Sequence, residues 1–156
     1  MKIHLITIGT SMPSWVKTAY ETYSKRLPKS CELILTELPM PKRSKNTSIE
    51  KLKQQEAELI LQKIPNNCTI IALDEHGKQW STQDLASDLS TWLSSGQDIA
   101  LIIGGPDGLE QSILDKAQSK RALSALTLPH PLVRVIVAEQ IYRAWSILNN
   151  HPYHRE

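Results

Sequence analysis

Apolar residues along the chain follow two patterns that alternate from one end to the other. Short apolar runs predict five strands, and segments with an apolar residue every three or four positions predict five helices. The predicted strands are Lys2–Ile8, Glu32–Leu38, Cys68–Leu73, Ile99–Ile103 and Ala122–Leu128. The predicted helices run from about Ser11 to Arg26, Ser48 to Ile64, Ser81 to the residue before Gly96, Glu110 to Ser119 and Leu132 to Asn149. This alternation predicts an α/β fold with a mainly parallel sheet.

The segments between these elements are short and include no long linker, low-complexity run or internal repeat. The chain has 156 residues, of which 40% are hydrophobic. That length suits one domain, and the apolar content is sufficient for one packed core. We therefore expect residues 1–156 to form a single domain.

The ends of three predicted strands are the places where a ligand site is expected. In open parallel sheets, ligands bind beyond the carboxyl ends of the strands, near the point where the strand order reverses. This rule directs attention to the segments that follow Leu73, Ile103 and Leu128.

The loop after the fourth strand, Gly104-Gly105-Pro106-Asp107-Gly108, is rich in glycine. Glycine permits a positive φ and a close approach of the backbone to a ligand, and proline stiffens the turn. The loop matches neither the dinucleotide fingerprint nor the P-loop, so neither of those mechanisms applies. Spacing alone leaves two interpretations equally open, a tight strand-to-helix turn and a ligand site.

The segment before the last helix combines small and apolar residues with two prolines. It comprises Leu123, Ser124, Ala125, Leu126, Thr127 and Leu128, followed by Pro129, His130 and Pro131. A stiff segment of this kind leaves backbone amides and carbonyls free to bind an adenine, which needs donors, acceptors and an apolar slot. Taken alone, the pattern would favour a buried strand and a turn.

The last helix has an apolar face that begins with a cation. At 100° per residue, Arg134 points the same way as Val137, Ala138, Ile141, Trp145 and Leu148. Arg134 is either a snorkelling side chain or a cation held in a cleft for a phosphate or carboxylate. The apolar stripe suits a partner helix in a dimer as well as a buried helix. Glu139 and Arg143 have the spacing of an ordinary surface ion pair.

Two further segments carry polar chemistry. The tail contains four polar residues that could take part in chemistry, His151, Tyr153, His154 and Arg155. The usual alternative to a functional role is a frayed terminus. No third ligand is placed to complete a metal site with the two histidines, so we expect no metal. The basic loop that contains Lys42 and Arg43 is a secondary candidate for phosphate contact and is otherwise a solvated loop.

Net charge and cysteine content bear on the partners and the cellular compartment of the protein. A formal net charge of +2 permits nucleic-acid binding without arguing for it. No segment approaches the roughly 20 apolar residues that span a bilayer, and the first residues resemble a strand more than a signal peptide. The two cysteines, Cys31 and Cys68, are expected to be reduced, which indicates a cytoplasmic protein.

Several of these segments together resemble one family over essentially the whole chain. The sequence is similar to the RlmH family, the ribosomal large-subunit pseudouridine N3-methyltransferases of the SPOUT superfamily. The similarity is densest in residues 101–109, 123–138, 142–145 and 150–156, which include the run LSALTLPHPLVRV. Runs of this length are far more specific than a short motif.

The resemblance implies a SPOUT-type α/β knot, with a deep trefoil knot at the C-terminal end, and a tight homodimer. It also implies that S-adenosylmethionine is the cofactor. The implied cofactor contacts are Leu73, Gly104, Gly105, Leu123, Ser124, Ala125, Leu126, Thr127 and Leu128. These residues coincide with the three strand ends that the sheet rule selects.

The resemblance further implies methyl transfer to N3 of a pseudouridine in 23S ribosomal RNA. Because the net charge is only +2, we expect the assembled ribosome to supply much of the recognition. We expect His154 to accept the N3 proton, Arg155 to give electrostatic support and Tyr153 to be a further catalytic candidate. Arg134, Lys42 and Arg43 are the expected RNA contacts. Two alternatives stay open: a methyltransferase of the same superfamily that acts on transfer RNA, and a nucleotide-binding module without catalysis.

Overall fold

A computed structural model of the protein describes residues 1–154. It contains five strands, β1 to β5 in chain order: Lys2–Ile8, Glu32–Leu38, Thr69–Gln79, Ile99–Ile103 and Ser119–Ala122. It contains five α-helices, α1 to α5: Ser14–Ser24, Ile49–Lys63, Thr82–Ser95, Gln111–Lys116 and His130–Leu148. A short 3₁₀ turn, Lys29–Cys31, leads into β2.

The five strands form one sheet in the order β2-β1-β4-β3-β5, and every pair is parallel. Helices α1, α3 and α5 cover one face of the sheet, and α2 and α4 cover the other. The central strand β4 is buried along its whole length, as its unbroken apolar sequence predicts. The predicted α/β fold with a parallel sheet is confirmed. The trefoil knot stays a prediction.

The predicted boundaries around β5 are wrong. Residues 74–78, predicted as a loop, belong to β3, whose pairing with β5 is irregular between Leu73 and Lys78. Strand β5 ends at Ala122, where the prediction began it, so Leu123–Leu128 is not a strand. The physical reason is the lack of a partner, because β3 ends at Gln79 and the chain turns into α3 at Thr82. Edge pairing stops where the neighbouring strand stops.

Local capping side chains account for where α2 and α3 begin. The Ser48 side chain caps α2, and Ser81 and Asp84 form a capping box at the start of α3, where the helix is predicted to begin. Helix α5 begins at His130, earlier than predicted, because Pro131 occupies its first turn instead of breaking the chain.

Arg134 ties α5 to the ends of β1 and β2. Its side chain is only 1% exposed, although it begins the apolar face of the helix. The guanidinium binds the carboxylate of Glu37 and donates to the carbonyl of Gly9 at 2.7 Å. Because Arg134 is buried, contact with an RNA phosphate would require it to leave these two partners. Its predicted role in RNA binding stays a prediction.

We expect the two halves of this ion pair to respond differently to mutation. Glu37→Leu should lower the free energy of unfolding by about 3–5 kcal/mol, because it leaves a buried guanidinium without its counter-ion. Arg134→Met should cost less, about 1–2 kcal/mol, since the Glu37 carboxylate is 36% exposed and stays hydrated. Urea unfolding at one fixed protein concentration measures both.

The matched control is Lys25→Met, which removes an exposed ion pair with Glu21. It should change the free energy of unfolding by less than about 1 kcal/mol. If Glu37→Leu and Arg134→Met lowered the free energy of unfolding equally, the buried Arg134 would not depend on its counter-ion more than Glu37 does, and the prediction would be contradicted.

Cys31 and Cys68 are free thiols, as predicted. No helix within residues 1–154 is long and apolar enough to cross a membrane. In the same range, no three His, Cys, Asp or Glu side chains are grouped so that they could hold a metal ion.

Candidate functional site

A cavity of about 280 Å³ lies at the carboxyl end of β4, beside the point where the apolar part of β3 ends. Leu73 and Ile103 are paired in register there, and both line the cavity. The glycine-rich loop 104–108 forms one side, and the segment between β5 and α5 forms another. The cavity therefore lies where the sheet rule places ligand sites.

Most of the residues predicted to contact a cofactor line this one cavity. They are Leu73, Gly104, Gly105, Leu123, Ser124, Leu126, Thr127 and Leu128. Ala125 is exposed and is not among the lining residues. Within the lining segment, Leu126 is 75% exposed, and its backbone N–H donates to the Ser124 hydroxyl at 2.9 Å. The role of all these lining residues as cofactor contacts stays a prediction.

The cavity is also lined by residues that were not predicted to contact a cofactor. These are Asp74, Glu75, Ile103, Pro106, Gly108, Leu109, Arg121, His130 and Val133. Asp74 and Glu75 directly follow the apolar part of β3, and that position in the sequence was a usable signal. Arg121 had no such signal in the sequence, because its place in the cavity depends on the pairing of β5 with β3.

The glycine loop folds back on itself. The N–H of Gly108 donates to the carbonyl of Gly105 at 3.0 Å, and Gly108 has a φ of +83°. A Cβ atom on Gly104 would lie 2.9 Å from the Gly108 backbone and from Cδ2 of Leu109. Glycine at position 104 is therefore required by close packing of backbone on backbone.

His130 joins the glycine loop to the start of α5. Its Nε2 atom lies 2.8 Å from the carbonyl oxygen of Gly104. A carbonyl only accepts, so Nε2 carries a proton and donates it. Burial and the nearby Arg134 charge lower the pKa of His130, although the Gly104 carbonyl partly opposes them. The ring is therefore neutral near pH 7, with the Nε2–H tautomer held by the loop.

The cavity walls combine apolar and charged groups. The carboxylates of Asp74 and Glu75, in the middle of β3, line the cavity together with the backbone of the glycine loop. The Arg121 guanidinium is held 3.5 Å from the Asp88 carboxylate and 5.8 Å from the centre of the Trp80 ring. A ligand with an apolar ring and both charge signs matches these walls.

The described part of the tail packs on α5 instead of the cavity. The Tyr153 hydroxyl donates to Glu139 at 3.0 Å, and Arg143 pairs with the same carboxylate at 2.6 Å. The predicted Glu139–Arg143 ion pair is therefore present, and it also holds the tail. Burial and the Glu139 hydrogen bond raise the pKa of Tyr153 to about 12. Its phenol stays protonated near pH 7 and acts as a donor.

His154 is held by a single side chain in a defined tautomer. The Ser146 hydroxyl donates to the Arg143 carbonyl at 2.8 Å and lies 3.0 Å from Nδ1 of His154. A hydroxyl has one proton, so the Ser146 oxygen accepts from Nδ1. When the ring is in its neutral form, its Nε2 atom carries the lone pair that can accept a proton. Arg155 lies outside the described residues.

The tail and the cavity lie at different places along α5. Val133 lines the cavity, whereas His154 contacts Ser146, thirteen residues further along the helix. That spacing corresponds to a rise of about 20 Å between the two Cα atoms. None of residues 151–154 lines the cavity. The structure therefore does not bring the predicted catalytic residues Tyr153 and His154 to the predicted cofactor site of the same chain.

The basic loop contacts the glycine loop. Arg43 pairs with Asp107 at 2.5 Å, which connects residues 39–48 to the loop that lines the cavity. Lys42 is exposed at the surface of the same segment. Arg43 thus has an intramolecular partner, and RNA binding by either residue stays a prediction.

The fold and the cavity define an α/β domain with a ligand-sized site beyond the carboxyl edge of a parallel sheet. The family model described as "Predicted SPOUT methyltransferase" matches residues 1–154. The chain belongs to this family of SPOUT methyltransferases.

Full-length relatives agree with this assignment. Proteins named "Ribosomal RNA large subunit methyltransferase H" are 56% identical in Hydrogenovibrio crunogenus, 52% in Hahella chejuensis and 50% in Thioalkalivibrio sulfidiphilus. Each match covers 100% of this chain and 100% of the relative.

Two solved structures share the fold at 14% sequence identity. A methylase family protein from Neisseria gonorrhoeae aligns with a TM-score of 0.53 over 97% of this chain and 95% of its own. A methylase family protein from Haemophilus influenzae aligns with a TM-score of 0.55 over 99% of this chain and 70% of its own.

Proposed function

We propose that this chain is an S-adenosylmethionine-dependent methyltransferase that methylates N3 of a pseudouridine in 23S ribosomal RNA of the large subunit. The observation that carries the proposal is its match, over full length and at 50–56% identity, to relatives named for methylation of large-subunit ribosomal RNA. The cavity at the carboxyl edge of the sheet supports it independently, because the expected cofactor segments meet there.

The cavity suits the chemistry of the proposed cofactor. Leu73, Ile103 and Leu109 provide an apolar surface for an adenine ring, beside the backbone groups of the glycine loop. The carboxylates of Asp74 and Glu75 would favour the positive charges of a sulfonium and an ammonium group, and Arg121 would favour a carboxylate. When bound, S-adenosylmethionine supplies an activated methyl group.

The tail provides the groups that the proton chemistry needs. The imide N3 of a pseudouridine carries a proton that must leave for the nitrogen to become nucleophilic. His154 offers Nε2 as the acceptor, because Ser146 holds its Nδ1 proton. Burial and Glu139 keep Tyr153 protonated, and its phenol could donate to a developing anion once it releases the Glu139 carboxylate. We assign Arg155 to electrostatic support of that anion.

We further propose that the chain works as a homodimer in which the tail of one subunit serves the cavity of the other. The rise of about 20 Å between the Val133 and Ser146 positions of α5 supports this arrangement, since it separates tail and cavity within one chain. A cation at Arg155 would then reach the substrate from the partner. Symmetric dimers build shared sites of this kind at their interfaces.

RNA recognition is proposed to depend largely on the shape of the assembled ribosome, in the cytoplasm. The net charge of +2 is too small for strong electrostatic binding to RNA by itself. Lys42 and Arg43 would add local contacts with phosphate beside the cavity, and Arg134 would contribute only if it were released from Glu37. A base in folded RNA must also be exposed before it can react.

The test combines a binding assay with a transfer assay. Calorimetry with S-adenosylmethionine should give saturable binding to the purified chain. Transfer of a labelled methyl group should then be measured on ribosomes, on naked ribosomal RNA and on transfer RNA, with mass spectrometry locating the modified nucleoside. We expect N3-methylpseudouridine in 23S RNA, with the highest rate on ribosomes. Methylation of transfer RNA alone, or binding without any transfer, would refute the proposal.

A further inference from the structure

Glu56 is a buried carboxylate outside the lining of the cavity. It lies in α2 and is 4% exposed, among the apolar residues that cover the second face of the sheet. Burial of a carboxylate is unfavourable unless it is hydrogen-bonded. The proposed methyl transfer does not explain why a carboxylate is buried at this position.

The Glu56 carboxyl group lies directly against the glycine loop. A Cβ atom placed on Gly105 would collide with Oε2 of Glu56 and would lie 3.0 Å from Oε1. Hydrogen bonding by the Gly105 backbone lowers the pKa of the Glu56 carboxyl group. Gly105 thus allows close contact between the loop and the side chain of α2.

The peptide bond between Gly104 and Gly105 is therefore held on both of its polar sides. Its carbonyl, on Gly104, accepts from Nε2 of His130 at 2.8 Å. Its other residue, Gly105, lies against the Glu56 carboxylate, whose pKa the Gly105 backbone lowers by hydrogen bonding. In a planar trans peptide the C=O and N–H bonds point in opposite directions, so His130 and Glu56 approach from opposite sides.

We propose that Glu56 and His130 are positioning residues, which together fix the orientation of the Gly104–Gly105 peptide in the wall of the cavity. Two adjacent glycines have the widest choice of backbone conformation, and rotation of this peptide would exchange its donor and acceptor sides. The two side chains select one orientation before the methyl donor arrives. This inference rests on the proposed function, because the bound ligand is the methyl donor.

The charges around Glu56 are consistent with a hydrogen-bonding role. Burial raises the pKa of Glu56 and the Asp107 carboxylate adds to the rise, whereas Arg43, the Gly105 N–H and Lys53 lower it. What the peptide needs from position 56 is an acceptor for one N–H. A glutamine carbonyl can supply that acceptor without a charge.

The test compares variants that keep each hydrogen bond with variants of similar size that remove it. Glu56→Gln keeps an acceptor, and His130→Gln keeps a donor near the place of Nε2. Glu56→Met and His130→Met keep neither group. We expect each methionine variant to weaken binding of S-adenosylmethionine about tenfold, and each glutamine variant to stay within about threefold of wild type. The KM for the methyl donor should rise in parallel, with kcat at saturation changed much less.

The matched control is Glu58→Met, at an exposed position of the same helix. Amide NMR of the protein without ligand provides a second readout that does not depend on the cofactor. The Gly105 amide resonance should move in Glu56→Met and stay in place in Glu58→Met. Unchanged binding in both methionine variants, or equal losses in the glutamine variants, would overturn the positioning role.

The same experiment separates this inference from the proposed function. Failure of the wild-type chain to bind S-adenosylmethionine would refute the function, while the Gly105 resonance would still report on the peptide. Normal wild-type binding with a Gly105 resonance unmoved by Glu56→Met would refute the positioning role alone.

Discussion

Replacing Gly104 by valine should remove binding of S-adenosylmethionine almost completely. The first added carbon would already lie 2.9 Å from the Gly108 backbone and from Leu109, and backbone cannot move aside as a flexible side chain can. The loop must shift, taking the carbonyl that His130 holds with it. Overpacking of this kind typically costs about 1–3 kcal/mol, so we expect affinity to fall about 100-fold. Calorimetry on the purified variant measures the loss.

A second glycine offers the control. Gly96 ends α3 with a φ of +67°, and an added Cβ would meet nothing within 4 Å. Asparagine tolerates this left-handed conformation, so Gly96→Asn should bind the methyl donor as wild type does. Near-normal affinity in Gly104→Val would show that the glycine loop does not contact the donor.

Removal of residues 153–156 should abolish methyl transfer and leave donor binding within about threefold of wild type. The deletion takes away the proposed proton acceptor His154 together with Tyr153, and neither lines the cavity. Loss of general-base assistance alone typically costs about 10²–10⁴-fold in rate. Single-turnover transfer to ribosomes measures the rate, and calorimetry measures the binding. Turnover at the wild-type rate would refute the role of the tail.

Mixed dimers can show which subunit the tail serves. When subunits with Gly104→Val are combined with tail-deleted subunits, a site with an intact cavity and an intact tail exists only if the tail acts on its partner. Random pairing would then restore about one quarter of the wild-type activity per site. If each tail served its own chain, neither the mixture nor the separate variants would be active.

The pattern of apolar and polar residues along the chain explains why most of the fold could be predicted. The apolar runs of β1, β2 and β4 were predicted to the residue, because each strand is flanked by a turn or a proline. The Ser81 capping box is equally local, since its two partners lie three residues apart. Such features depend only on residues that are close together in the chain, so they can be seen in the sequence itself.

The candidate site could be predicted only in part. The strand ends and the glycine loop followed from the rule for parallel sheets, and they line one cavity. Segment 123–128 was predicted as a strand because apolar residues look alike whether they pair with a strand or line a cavity. His130 and Glu56 showed no signal, since nothing near them in the chain indicates that they meet the same peptide.

The sequence by itself determined the alternation of strands and helices, the helix caps and the sheet edge at which a ligand site is expected. Hydrophobic periodicity and hydrogen bonds over a few residues produce all of these. Tertiary structure alone decided that Arg134 is buried against Glu37, that β5 stops at Ala122 and that His154 lies away from the cavity. Each of these outcomes depends on which distant segments meet, because burial and pairing are properties of both partners.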